Sequence, residues 1–461
     1  MKRIFVFLFS VACIASAEAQ LRLPSLFDNH MILQQQSPIP IWGWSHPSQD
    51  ITIHVSWDTT TIKTKSDNTT YWSATLYTPP ASNKPYTITI QAGGEQRVLQ
   101  DVLVGEVWLC SGQSNMEWSM ENSADGKQAM AQANDPAIRL FHVSKSAASF
   151  PQVHGEGTWR VCTPESVKYF SAVGYFFAKK LQQNLNIPVG LINASWGGTP
   201  AETWTPEEII NADATLKAAA DKQGDDRPWC PSRPGVVFNA MINPIIPFRI
   251  AGTLWYQGES NTGTPETYKQ LMEAMVASWR KEFLNEFPFY YVQIAPYADY
   301  GGEGGVLLRE QQVKMLQIPN SGLVVISDLV ENVKDIHPKF KKPVGERLAN
   351  LALTDTYGKK DIASKSPLYK AMKIEKGKIR ITFDHVPNGL ISKGGEPTEF
   401  QIAGEDKKFY PAKAKIEGSS VIVSAKEVKN PTSVRFGWSN ASMPNLFSKE
   451  GLPVPSFRTD N

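Results

Sequence analysis

The strand-like run Gly105-Glu106-Val107-Trp108-Leu109-Cys110 passes into Ser111-Gly112-Gln113-Ser114-Asn115-Met116, which sets a serine hydroxyl on a glycine-containing turn. A serine exposed at the carboxyl end of a strand sits where open α/β sheets bind ligands, and a sharp turn there leaves backbone N–H groups free to stabilise an oxyanion. Ser114 is therefore the candidate nucleophile, with capping of the following helix as the competing reading. A nucleophilic serine needs a base, and the chain has seven histidines. His30, His46, His54 and His385 fall in β-rich regions, and His142 and His154 lie near a strand end and in a loop. His337 stands apart, in Asp335-Ile336-His337-Pro338, after an apolar strand and directly before a helical pattern. Proline pushes the residue before it toward extended geometry, where side chains two apart project to the same side, so Asp335 is expected to orient the His337 ring.

Two further glycine-rich strand exits open onto the same expected edge. They are Asn193-Ala194-Ser195-Trp196-Gly197-Gly198-Thr199-Pro200-Ala201-Glu202 and Trp255-Tyr256-Gln257-Gly258-Glu259-Ser260-Asn261. The backbone N–H of Gly198 and the side-chain amide of Gln257 are the expected oxyanion donors. Asn115, Trp196 and Glu259 are expected to border the substrate, Glu259 also as a positioning group.

Four blocks then fall into one pattern: Gly-Gln-Ser-Asn-Met at 112–116, Ser-Trp-Gly-Gly-Thr at 195–199, Trp-Tyr-Gln-Gly-Glu-Ser-Asn at 255–261 and Asp-Ile-His-Pro at 335–338. In order and strand-end placement they resemble the sialate O-acetylesterase family of the SGNH hydrolases. The opening Leu-Phe-Asp-Asn-His-Met-Ile-Leu-Gln and Ile-Trp-Gly-Trp at 41–44 are also similar. The resemblance implies a carbohydrate esterase with Ser114 as nucleophile, His337 as general base, and Gly198 and Gln257 in the oxyanion hole. It also implies an SGNH-type, flavodoxin-like parallel sheet, an O-acetylated sugar as substrate and no cofactor. Many SGNH enzymes place the acid three residues before the histidine and use Asn in the third block, whereas here position 334 is Lys and the amide is Gln257. Asp335 is thus the first choice of acid, Asp328 the substitute, and a Ser–His dyad oriented by a backbone carbonyl the remaining option.

The elements that must position these residues follow a clear grammar. From 20 to 101, short strands such as Ile39–Trp42, Ile51–Val55, Trp72–Leu76 and Tyr86–Ile90 alternate with Pro-, Asn- and Ser-rich turns, as in a β-sandwich. From 102 to 360, apolar runs at Leu103–Cys110, Ile138–Val143, Val189–Asn193, Gly252–Tyr256, Phe289–Ile294 and Leu323–Ser327 alternate with helical patterns at Ser171–Asn184, Pro265–Phe283, Val306–Leu316 and Pro338–Tyr357. That alternation predicts one α/β domain with a parallel sheet and helices on both faces. From 361 to 461 the β grammar returns, with Ile379–Phe383, Phe400–Ile402, Val421–Val423 and Ser433–Phe436.

Residues 1–19 read as a signal peptide, with Lys2 and Arg3, an apolar run from Ile4 to Ala12, and Ala17-Glu18-Ala19 as the cleavage signature. The expectation is a secreted or periplasmic protein starting near Gln20, with no later segment able to span a bilayer. The full chain's formal charge of +2 offers no excess for a nucleic-acid backbone. After the leader, Cys110, Cys162 and Cys230 allow one internal disulfide at most, and no Cys or His spacing suggests a zinc site. Other function classes remain: acetylxylan or another polysaccharide acetylesterase, a glycosidase using Glu259 with an aspartate, and a noncatalytic carbohydrate-binding protein.

Overall fold

A computed structural model describes residues 21–460, so the expected leader lies outside the described residues. The organising element is an 18-residue strand, β1 (Glu95–Gly112). Its first part pairs antiparallel with Ser82–Ala92, a strand of the N-terminal β module. Its last part runs parallel between β4 (Val189–Ser195) and β5 (Gly252–Tyr256). The boundary expected at 101/102 thus falls inside a continuous strand. Residues 95–101 are largely exposed and residues 102–112 continuously buried, so the change of pattern reads as a boundary although the backbone runs on as one strand serving two sheets.

With β2 (Asp135–His142), β3 (Trp159–Cys162), β6 (Phe289–Val292) and β7 (Ser321–Val324), the central path reads β7-β6-β5-β1-β4-β2-β3. All its pairings are parallel except that of the edge strand β3, which is antiparallel to β2. The chain builds to one side of β1 and then to the other, so β1 lies at the switch point where crevices form outside the strand ends.

Side chains alternate across this sheet. Val107, Leu109 and Ile192 pack with Leu271, Met275 and Trp279 of α3 (Tyr268–Phe283) on one face. Trp108, Cys110 and Leu191 pack with Phe177 and Leu181 of α2 (Ala172–Leu185) and Val344 and Leu348 of α5 (Lys341–Leu351) on the other. The helices on both faces fill the expected architecture. Helix α4 (Gly304–Lys314) carries Arg309, whose guanidinium donates to the carbonyls of Ser439 and Asn440 and so ties the C-terminal β region to the α/β layer.

Several local expectations shift. The helix predicted from Pro338 begins at Lys341, because the Asp335–Pro338 segment is held by its own side-chain hydrogen bond. A polar strand, Thr61–Lys65, joins the N-terminal module; with Ile62 its only apolar residue, it gives no apolar alternation to detect. Cys110, Cys162 and Cys230 are all free and buried, so no disulfide uses them. Burial pushes the Cys110 and Cys162 thiols up, Cys162 to about 12, which makes both poor nucleophiles. No helix among the described residues is long and apolar enough to cross a membrane.

Candidate active site

Strand β1 ends at Gly112, whose φ of +132° and position 2.2 Å (from an ideal Cβ) to the Tyr256 carbonyl oxygen admit only glycine. This close approach lets Gln113 N–H donate to Tyr256 O at 3.0 Å and turns the chain into the single-turn helix α1 (Ser114–Glu117). Ser114 opens that turn. The Ser114 and Gly198 N–H groups make no hydrogen bond to other described residues. Gly198 adopts φ +83° in the β4 exit loop, and a Cβ on its neighbour Gly197 would lie 3.2 Å from Ser114 Cβ. The two free donors therefore belong to turns that adjoin at Ser114.

His337 arrives from the segment after β7. Asp335 Oδ1 accepts the His337 backbone N–H at 2.9 Å, forming an Asx-type turn ahead of Pro338. His337 Nε2 lies 2.9 Å from Ser114 Oγ, and the imidazole stacks on Trp118 with centroids 4.8 Å apart and planes 21° apart. Burial holds the imidazole below its ordinary pKa and the Lys341 cation adds to this, while Asp335 opposes it. The ring is thus neutral near pH 7 and able to accept a proton from the hydroxyl.

The sequence places Asp335 on the correct side of His337, but the contact differs from the expected one. Its Oδ1 is 3.9 Å from His337 Nδ1, an ionic approach longer than a hydrogen bond. The carboxylate instead caps the backbone N–H. Asp328, the alternative acid, is held by Arg347 in a bidentate pair at 2.8 and 2.7 Å.

Gln257 requires a correction. The side chain is fully buried, its Nε2 donates to Asn261 Oδ1 at 2.7 Å and Thr199 O at 3.3 Å, and its Oε1 accepts from Tyr268. Its amide braces the two loops from beneath and has no hydrogen left for an oxyanion. Asn261 passes the connection to Glu202 at 2.8 Å, whose carboxyl is pushed upward by burial. Asn115 and Glu259 are also corrected as substrate contacts. Both are buried, and Asn115 Nδ2 donates to Glu259 Oε1 at 2.6 Å and to Ile336 O at 3.1 Å. Trp196 remains half-buried, its Nε1 donating to Trp229 O at 2.8 Å. Trp229 is 64% exposed and lies against Gly198.

Sequence reasoning missed Lys341. Its ammonium is buried and donates to Asn115 Oδ1 at 2.5 Å, and burial lowers its pKa to about 7 against the opposing pull of Glu259 and Asp335. Burial raises the Glu259 carboxyl in turn, with Asn115 and Lys341 opposing, and its Oε2 has no hydrogen-bond partner among the described residues. One signal was available: a lysine in the first turn of a helix opposes the macrodipole and calls for a local reason.

A family model, "Carbohydrate esterase, sialic acid-specific acetylesterase", matches residues 104–354, over half of the chain and all four blocks. The chain belongs to that family. It resembles the sialate O-acetylesterases of Homo sapiens and Pongo abelii, each 28% identical over 96% of this chain and 93% of the relative. A carbohydrate acetylesterase from Xanthomonas citri of known structure is 38% identical, with a TM-score of 0.88 over 96% of this chain and all of the other. As a member of this carbohydrate esterase family, the chain is a carboxylic ester hydrolase that acts on carbohydrate O-acetyl esters. No cluster of metal-ligating side chains occurs among the described residues.

Proposed function

We propose that this esterase releases acetate from O-acetylated sialic acid through an acyl-enzyme on Ser114. The observation that carries the reading is the 2.9 Å approach of His337 Nε2 to Ser114 Oγ, with the Ser114 and Gly198 N–H groups left unpaired in the adjoining turns. His337 takes the Ser114 proton as Oγ attacks the acetyl carbonyl, and the N–H groups of Ser114 and Gly198 hold the resulting oxyanion. The tetrahedral intermediate expels the sugar oxygen, which receives the proton from His337. Water then attacks the acetyl-serine with His337 again as base, releasing acetate and restoring Ser114. Asp335 stabilises the imidazolium by proximity of charge. The exposed Trp229 indole beside Gly198 offers an apolar face to the sugar ring.

Sialic acid as the substrate is supported by the family description and by the names of the curated relatives. The Xanthomonas citri protein is named only as a carbohydrate acetylesterase, which favours a second reading, an acetylated xylan or other polysaccharide. Acetate release from an O-acetylated sialic acid and an acetylated xylan, measured side by side, separates the two. Preference for xylan would replace the substrate and keep the chemistry, whereas full activity of Ser114→Ala would remove the mechanism. Residues 1–19 are proposed as a leader that directs the chain out of the cytoplasm.

A further inference from the structure

We propose that Lys341, acting through Asn115 and Glu259, is a positioning residue that holds Ser114 and His337 in register. The proposal rests on the reading of Ser114 and His337 as nucleophile and base. Asn115 follows Ser114 directly and Ile336 precedes His337 directly. One side-chain amide, donating to Ile336 O at 3.1 Å, therefore links the nucleophile's turn to the base's segment. An amide can rotate about its last bond, and its orientation is set by what meets its two ends. Here Lys341 Nζ fixes the oxygen at 2.5 Å and Glu259 Oε1 fixes the nitrogen at 2.6 Å.

Lys341 also reaches His337 by a second route. Its Nζ lies 5.6 Å from the centre of the Trp118 ring, the same ring that stacks on the imidazole, and 5.3 Å from that of Tyr256. The Tyr256 carbonyl in turn receives the Gln113 N–H that shapes the nucleophile's turn. A single ammonium thus touches both sides of the Ser114–His337 contact without touching either residue's reacting atom.

This arrangement is expensive for packing alone. Burying an ammonium and a carboxylate costs several kcal/mol each, and well-packed apolar residues commonly do as well or better in stability. Charge at this position is explained by the geometry it imposes. A displacement of about 1 Å between nucleophile and base lowers turnover by as much as roughly 100-fold.

The test compares Lys341→Met, Glu259→Gln and the double variant with wild type on one acetylated sugar, recording kcat, KM, the pH profile of kcat/KM and melting. The Glu259→Gln side chain retains an oxygen for Asn115 but removes the anion facing the buried Lys341 ammonium, so this variant should melt lower than wild type while losing less turnover than Lys341→Met. Lys341→Met should lose about 10- to 100-fold in kcat with KM within about threefold. Its acid limb should move to higher pH, because the Lys341 cation that opposes protonation of His337 is gone while Asp335 remains. The double variant removes both buried charges, and should fold even where Lys341→Met does not, with the same loss of kcat. A folded variant lacking Lys341 with kcat within twofold of wild type and an unmoved acid limb overturns the proposal. Failure of both Lys341 variants to fold also overturns it, because the lysine would then serve folding alone. Ser114→Ala and His337→Ala run alongside: activity in either removes the underlying mechanism, whereas two inactive controls beside near-normal Lys341 variants remove only the positioning role.

Discussion

Replacing Asp335 by Asn tests how the histidine is assisted. The substitution retains a side-chain oxygen able to accept the His337 backbone N–H, so the turn before Pro338 should persist. What disappears is one negative charge 3.9 Å from Nδ1, on a carboxylate 43% exposed. Two unit charges about 4 Å apart interact by about 1 kcal/mol in water and about 4 kcal/mol near a protein surface. Half-exposure places Asp335 toward the lower end, at roughly 1–2 kcal/mol, or about 5- to 30-fold in rate at 1.36 kcal/mol per decade. A triad aspartate bonded directly to its imidazole contributes far more, about 10⁴-fold in the reference serine protease. Initial rates of acetate release across pH should therefore show a modest fall in kcat/KM, with the acid limb displaced to lower pH because a group that favours imidazolium has been removed. A loss near 10⁴-fold would mean that the carboxylate closes onto Nδ1 during turnover. A loss below twofold would mean that the charge does not assist at all. Either result refutes the reasoning from the 3.9 Å separation.

Other outcomes follow from the same geometry. Gln257→Ala should destabilise the fold by roughly 1–3 kcal/mol, since Asn261 and Tyr268 lose buried hydrogen bonds; a 100-fold loss of turnover with unchanged melting would instead place its amide at the reacting carbonyl. The acid limb of wild-type kcat/KM should lie below 6.5, the ordinary histidine value, because burial and Lys341 depress His337. By linkage, His337's contribution to stability is present above pH 6.5 and is lost as pH falls through the depressed value, which melting curves of wild type and His337→Gln would compare. Exported protein should begin near Gln20 by N-terminal sequencing, and an intact Met1 would rule out the leader.

The approach of His337 to Ser114 and the free Gly198 N–H were legible because each depends on short-range chemistry: a glycine turn at a strand exit, or a residue extended by the proline after it. The apolar runs marked the central strands for the same reason, since a strand buried on both faces needs continuous hydrophobic sequence. What the sequence withheld are relationships between loops. Gln257 and Gly198 both occupy strand exits, yet Asn261, Thr199 and Tyr268 enclose the Gln257 amide while the Gly198 N–H stays free. Only the packed arrangement distinguishes an N–H left free from one already spent on neighbouring loops. Asn115 shows the same limit. A polar residue beside a candidate nucleophile reads as a substrate contact until a lysine 226 positions away in sequence is found on its oxygen. The burial of that lysine is the more informative fact, because a surface substrate contact would require no desolvated charge behind it. The edge of the sheet therefore holds two tiers, an upper one of hydroxyl, imidazole and backbone donors, and a lower one of Gln257, Asn261, Glu202, Asn115, Glu259 and Lys341 that fixes their spacing. Sequence blocks record both tiers together, since a turn that presents one residue to solvent buries its neighbour.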